Sequence, residues 1–245
     1  MRKPAIVLIH GFRGSPLGLQ KIADVLAADF EVFVPAIPPF GGAEALDEYS
    51  VEGYVQYILN EIEERGLEKP ILVGHSMGSI IASAVAARAP EKINQKLVLM
   101  SPIAKKTPSF VAGVEPFIMV LPNRAMSFIS TQFLFASDDK EIYDDVLEIT
   151  NKCGEKFTTR SDVLAAAKFS SNHAISDFAS ELGQEILFLC GAKDRLMPVR
   201  KTQKLAEEMG AKTKVQIIHG TGHLMNYEKP EETATAIRDF VSKGF

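Results

Sequence analysis

The sequence predicts an α/β fold: a mostly parallel sheet of six strands, helices on both faces, and a helical cap inserted late in the chain. Three observations point there. Six short apolar runs alternate with helix-like segments over most of the 245 residues, the rhythm of a parallel sheet covered on both sides. Runs such as Ala5-Ile6-Val7-Leu8-Ile9 are continuously apolar and rich in β-branched residues, as strands buried on both faces require. The rhythm breaks once, from Ile103 to about Gly183, where no strand pattern occurs.

Taken in order, the first strand covers Ala5–Ile9 and exits into His10-Gly11-Phe12-Arg13-Gly14-Ser15, a turn followed by a helix from about Leu17 to Ala28. Glu31 to Pro35 is a second strand, and Pro38-Pro39-Phe40-Gly41-Gly42 is a loop, because two prolines and two glycines exclude regular structure. Ser50 is the expected N-cap of a helix from Val51 to about Arg65, ended by Gly66. The third strand, within Pro70-Ile71-Leu72-Val73, leads through Gly74-His75-Ser76-Met77-Gly78 into a helix that runs to Arg88. Lys96 to Met100 is the fourth strand, with Ser101-Pro102 as its exit.

Residues 103–182 form the expected cap, and residues 1–102 and 183–245 the core that carries it. The cap reads as short helices broken by Pro108, Pro116, Pro122 and Gly154. Eight of the fifteen phenylalanines fall there: Phe110, Phe117, Phe128, Phe133, Phe135, Phe157, Phe169 and Phe178. Most would form the cap's own core and its seam with the sheet, and a few would line a pocket suited to an apolar ligand. Strands then resume at Glu185–Cys190 and Lys214–Ile218, with helices at Val199–Met209 and Glu231–Ser242.

Composition narrows the function. A 46% hydrophobic and 24% charged chain is ordinary for a globular protein. A net charge of -4 gives no electrostatic basis for binding nucleic acid or an anionic membrane. No apolar run reaches the ~18 residues of a membrane span, and the N-terminal apolar stretch is too short for a signal peptide. The two cysteines, Cys153 and Cys190, and the lack of a glycosylation sequon favour free thiols in a reducing, cytoplasmic setting. No ligand spacing suggests a metal, and no cofactor is expected. Oligomeric state is left open.

The chemistry gathers at strand exits. A strand, a Gly-x-Ser-x-Gly turn and a helix in that order form a nucleophile elbow around Ser76. The motif alone arises by chance in roughly one chain in twelve of this length, so its weight comes from its placement and its company. Gly74 and Gly78 leave room where strand and helix crowd together, and the helix N-terminus aims amides at the place where negative charge would develop. A serine hydroxyl needs a neighbouring base. Of five histidines, His223 sits on a loop after the last strand and is the best base, with His219 the alternative. His10 and His75 flank turns and read as structural, and His173 as packed or solvated within the cap. Asp194, in Gly191-Ala192-Lys193-Asp194 after the fifth strand, would orient the histidine. An ordinary turn aspartate is the competing reading of that residue. The backbone amides of Phe12 and Met77 would supply an oxyanion hole. Arg124 and Arg160 stand alone, and Lys105-Lys106 reads as a solvated turn, so no phosphate clamp is expected.

Read together, HGFRGS, GHSMG, GAKDRLMP and GTGHLMNYEKPEE occur in an order that resembles the α/β-hydrolase superfamily over nearly the whole chain. The resemblance implies a Ser76–His223–Asp194 triad with Phe12 and Met77 at the oxyanion hole. It implies a small member lacking the N-terminal antiparallel strand pair. Serine at position 76 separates the chain from the haloalkane dehalogenase and epoxide hydrolase branches, which carry aspartate there. The expected activity is hydrolysis of a small or medium carboxylic ester with an apolar portion, in the carboxylesterase and lipase-like manner. Carbon–carbon bond hydrolysis, a lyase reaction, or a non-catalytic small-ligand receptor on the same scaffold are the alternatives.

Overall fold

Continuous apolar runs become strands where the sequence places them, and they assemble into one parallel sheet. A computed structural model of the chain describes residues 3–106, 134–136, 140–152 and 159–243. The strands are β1 (Ala5–Ile9), β2 (Glu31–Phe33), β3 (Ile71–His75), β4 (Lys96–Met100), β5 (Glu185–Gly191) and β6 (Thr213–Ile218). Their order is β2-β1-β3-β4-β5-β6, and every pairing is parallel. The chain steps outward from β1 to β2, then crosses back to β3 and continues the other way. The β1 and β3 exits therefore diverge side by side, and such a reversal opens a crevice at the carboxyl ends of the strands.

Alternation along each strand feeds two cores. Val7, Ile9, Leu72, Leu97, Leu99 and Phe188 point to one face. Helices α2 (Val51–Glu64) and α3 (Met77–Arg88) pack there. Ile6, Leu8, Ile71, Val73, Val98 and Leu187 point to the other, covered by α1 (Gln20–Leu26) and by the C-terminal helix Pro230–Lys243. Helix α3 is buried along nearly all its length, from Met77 to Ala86. Its small residues, among them Gly78, Ser79, Ala82 and Ser83, let it lie close against the sheet.

Local chemistry sets most boundaries. Ser50 accepts the Gly53 N–H at 3.1 Å and caps α2 as expected. Strand β2 ends at Phe33, two residues short of Pro35, which cannot donate to a ladder. The expected helix from Leu17 to Ala28 is a 3₁₀ turn over Pro16–Leu19 followed by α1. Pro230 opens the last helix, the position where its missing N–H costs nothing.

Between β4 and β5, the described residues form α4 (Lys140–Lys152), α5 (Arg160–Asn172) and a 3₁₀ turn (Ile175–Asp177), with no strand among them. Thr159 and Asp162 form a capping box at the start of α5. Phe169 and Phe178 are buried in the core that also contains α2 and α3, and the Phe169 ring packs at a tilt against Tyr54 at 4.5 Å between ring centres. Phe110, Phe117, Phe128, Phe133, Phe157, Cys153 and Arg124 lie outside the described residues. Helix α6 (Val199–Met209) follows β5, and α7 (Met225–Glu228), a single turn that the sequence did not reveal, precedes the last helix, α8 (Pro230–Lys243).

Candidate active site

The elbow between β3 and α3 holds Ser76 at φ 53° and ψ -119°. Positive φ is costly for a residue with a side chain, and the surroundings enforce it. The Ser76 N–H donates to the Met100 carbonyl at the end of β4 at 3.0 Å, and the Ser76 carbonyl accepts the Ser79 N–H. Close approach also dictates the two glycines. A Cβ on Gly74 would lie 2.3 Å from the Gly78 carbonyl oxygen, and one on Gly78 would lie 2.2 Å from that of Ile9. Neither neighbour can yield, since both are backbone.

Ser76, Asp194 and His223 meet although they come from three separate strand exits. His223 Nε2 is 3.0 Å from Ser76 Oγ, and its Nδ1 is 2.9 Å from Asp194 Oδ2. An ionised carboxylate can only accept, so Nδ1–H donates to Asp194 and the Nε2 lone pair faces the serine hydroxyl. All three side chains are buried. The other carboxylate oxygen of Asp194 accepts the N–H groups of Leu196 and Met197 at 2.9 and 2.7 Å. Asp194 is thus a turn aspartate and a histidine partner at once, one oxygen for each task. The β5 exit and the His223 loop touch through Gly191, where a Cβ would lie 2.0 Å from the Gly222 carbonyl oxygen.

The β1 exit lies against the elbow. A Cβ on Gly11 would meet Ser76 Cβ at 2.9 Å, which brings the following residue, Phe12, beside the nucleophile. Met77 opens α3, so its N–H has no partner within the helix. The Phe12 ring packs edge-on against Phe40 at 4.9 Å, an aromatic wall next to the turn.

The remaining histidines separate cleanly. His10 Nδ1–H donates to the Gly11 carbonyl and its Nε2 accepts the Ile37 N–H, each at 2.9 Å. It ties the β1-exit turn to the loop after β2. Burial lowers its pKa to about 4. His75 Nε2–H donates to the His223 carbonyl at 2.9 Å, where Ser101 Oγ–H also donates. Burial, reinforced by the nearby His223, lowers the His75 pKa to about 3. Both hold backbone groups in place, the structural reading expected of them, and burial favours their neutral forms. His219 is exposed at the end of β6, and the contact to Ser76 belongs to His223. His173 is half-buried against the Phe169 ring, 3.6 Å from Asp177. Lys105 and Lys106 pair on the surface with Glu208 and Asp177. Sequence reasoning missed the support given by His75 and Ser101 to the His223 loop, and it missed Glu228. His75 lies in GHSMG and Glu228 in GTGHLMNYEKPEE, but nothing in those motifs shows that His75 donates to the His223 carbonyl or that Glu228 accepts the Gly222 N–H, since these contacts depend on which strand exits become neighbours.

Among the described residues, no group of three or more His, Cys, Asp or Glu side chains converges as metal ligands would, and no helix is long and apolar enough to cross a membrane.

Comparison with known proteins adds a family and a fold. Residues 6–236 match the model of the alpha/beta hydrolase family. Monoacylglycerol lipase abhd6-B of Xenopus laevis is 27% identical over 259 residues, spanning 98% of this chain and 76% of that one. The 2-hydroxymuconate semialdehyde hydrolase of Pseudomonas putida is 26% identical over 250 residues, spanning 98% and 87%. The solved structure of a thermophilic esterase from Thermogutta terrifontis superposes with a TM-score of 0.85 at 21% identity, over 99% of this chain and 91% of that one.

Proposed function

The chain belongs to the alpha/beta hydrolase family, and from that premise we propose that it is a serine hydrolase that cleaves small or medium carboxylic esters with an apolar portion. The observation that carries this reading is His223, bonded at one ring nitrogen to Asp194 and at the other to Ser76. A hydroxyl, an imidazole in the correct tautomer and a buried carboxylate are the parts that acyl transfer requires.

In this mechanism Ser76 Oγ attacks the ester carbonyl carbon while its proton passes to His223 Nε2. The carbonyl oxygen becomes an anion and is met by the amides of Phe12 and Met77, donors whose individual loss costs on the order of 10²- to 10³-fold in kcat. His223 then gives its proton to the departing alkoxide, and the alcohol leaves an acyl group on Ser76. A water that loses its proton to His223 attacks that ester, and His223 passes the proton to Ser76 Oγ as the bond to the acyl group breaks and the acid leaves. Asp194 stays ionised throughout and stabilises the imidazolium.

In this reading the stretch 103–182 serves as the cap expected from the sequence, and its phenylalanine-rich composition favours apolar acyl or alcohol groups. The buried free thiol of Cys190 is in keeping with a cytoplasmic setting. The similarity to a monoacylglycerol lipase supports ester chemistry. A second reading, hydrolysis of a carbon–carbon bond by the same three residues, draws on the similarity to 2-hydroxymuconate semialdehyde hydrolase. A panel of p-nitrophenyl esters of graded acyl length separates the two: turnover of esters supports the first reading, and none of them turned over beside cleavage of a diketone-type substrate supports the second.

A further inference from the structure

The loop that carries His223 is gripped from two sides. From the core, His75 and Ser101 donate to the His223 carbonyl. From the insertion, the Leu134 carbonyl accepts the His223 N–H at 2.7 Å and the Leu224 N–H at 3.3 Å. Glu228, the last residue of α7, closes this second junction. One of its carboxylate oxygens accepts the Gly222 N–H and the other the Ala136 N–H, both at 2.7 Å. These are the short distances of charge-assisted bonds. Gly222 lies at the crowded centre, where a Cβ would stand 2.6 Å from the Leu134 oxygen and 2.9 Å from the Ala136 nitrogen. Phe135, between them, is buried and packs edge-on to Tyr143 of α4.

We propose that Glu228 is a positioning residue for His223, and that through it the seating of segment 134–136 becomes part of the geometry of proton transfer. The proposal rests on the reading of His223 as the base. The N–H and carbonyl of His223 and the N–H of Leu224 are all held by partners, so the imidazole is aimed through its backbone. Releasing the Gly222 and Ala136 amides together frees the loop and the insertion segment together. Glutamate suits the junction because two N–H groups face two acceptor oxygens. Glutamine would turn an NH₂ group toward one of them.

Glu228→Gln therefore lowers kcat roughly 10- to 100-fold, the penalty of a misplacement near 1 Å, with a smaller change in KM, because Glu228 bonds the backbone of the His223 loop and not the substrate. Two readouts separate positioning from a merely structural role. The downfield Nδ1–H proton resonance of His223 shifts or broadens in the variant, and the kcat loss persists at temperatures where the protein is fully folded. Should Glu228→Gln not fold, Glu228→Asp, which keeps the charge but is one methylene shorter, carries the same measurements. Unchanged kcat with an unchanged resonance, or a kcat loss that only follows the unfolded fraction, overturns the proposal. Ser76→Ala is run in parallel. If it retains turnover, the serine mechanism itself has failed. If it is inactive while the Glu228 variant is fully active, only the positioning role has failed.

Discussion

Replacing Asp194 by asparagine tests the tautomer argument with almost no change in volume. Asp194 uses one oxygen for two backbone amides, those of Leu196 and Met197, and the other for His223. An asparagine has a single carbonyl oxygen, and two N–H donors outbid one. The amide oxygen settles on Leu196 and Met197, and the NH₂ group turns toward His223 Nδ1. Nδ1 must then accept, so the ring proton moves to Nε2 and faces Ser76 Oγ at 3.0 Å. In that tautomer the imidazole cannot take the serine proton. The expected loss is about 10⁴-fold in kcat, the effect of the wrong tautomer in a Ser-His-Asp triad, or about 5 kcal/mol of barrier. The assay is steady-state hydrolysis of a short-chain p-nitrophenyl ester, with the thermal midpoint measured on the same samples. A variant within tenfold of the parent in kcat would refute the assignment of Asp194.

Two further outcomes concern the scaffold. Gly78→Ala places a Cβ against the backbone oxygens of Ile9 and His10, at 2.2 and 2.7 Å. Overpacking of that kind costs about 3 kcal/mol or more, so the thermal midpoint should fall by roughly 10 °C, and an unchanged midpoint would contradict the close approach. Acid should destabilise the fold before most carboxylates titrate. The unfolded chain binds protons at His10 and His75 near pH 6.5, whereas the folded protein takes them up only near pH 4 and 3. The contribution of these two histidines is therefore constant above neutrality and falls as pH drops below 6.5, by about 1.4 kcal/mol per pH unit for each group. Urea midpoints at pH 7.5 and 5 measure this, and His75→Gln, which keeps a donor for the His223 carbonyl, should remove about half of the slope. A slope unaffected by that change would place the proton uptake elsewhere.

Much of the site was legible in the sequence because each piece stands at a strand exit, and strand exits are marked by local signals. Gly74 and Gly78 announce the elbow through crowding that only glycine relieves, and Gly191 and Gly222 mark a similar approach between the β5 and β6 exits. The order of strands made these exits neighbours, and continuous apolar runs already implied a parallel sheet. Boundaries were less legible. The 3₁₀ turn at Pro16–Leu19 is held by Asn226, whose side-chain amide donates to the Gly18 carbonyl, a contact between residues far apart in the chain. The roles of His75, Ser101 and Glu228 were hidden for the same reason. Each supports His223 through a backbone group, and backbone partners leave no pattern in side-chain spacing.

The central claim is that Ser76 is an activated nucleophile, and labelling with a fluorophosphonate followed by peptide mapping tests it most directly. The account expects one adduct, on Ser76, lost together with ester turnover in Ser76→Ala. Labelling at another residue, or p-nitrophenyl ester hydrolysis retained in Ser76→Ala, would contradict it.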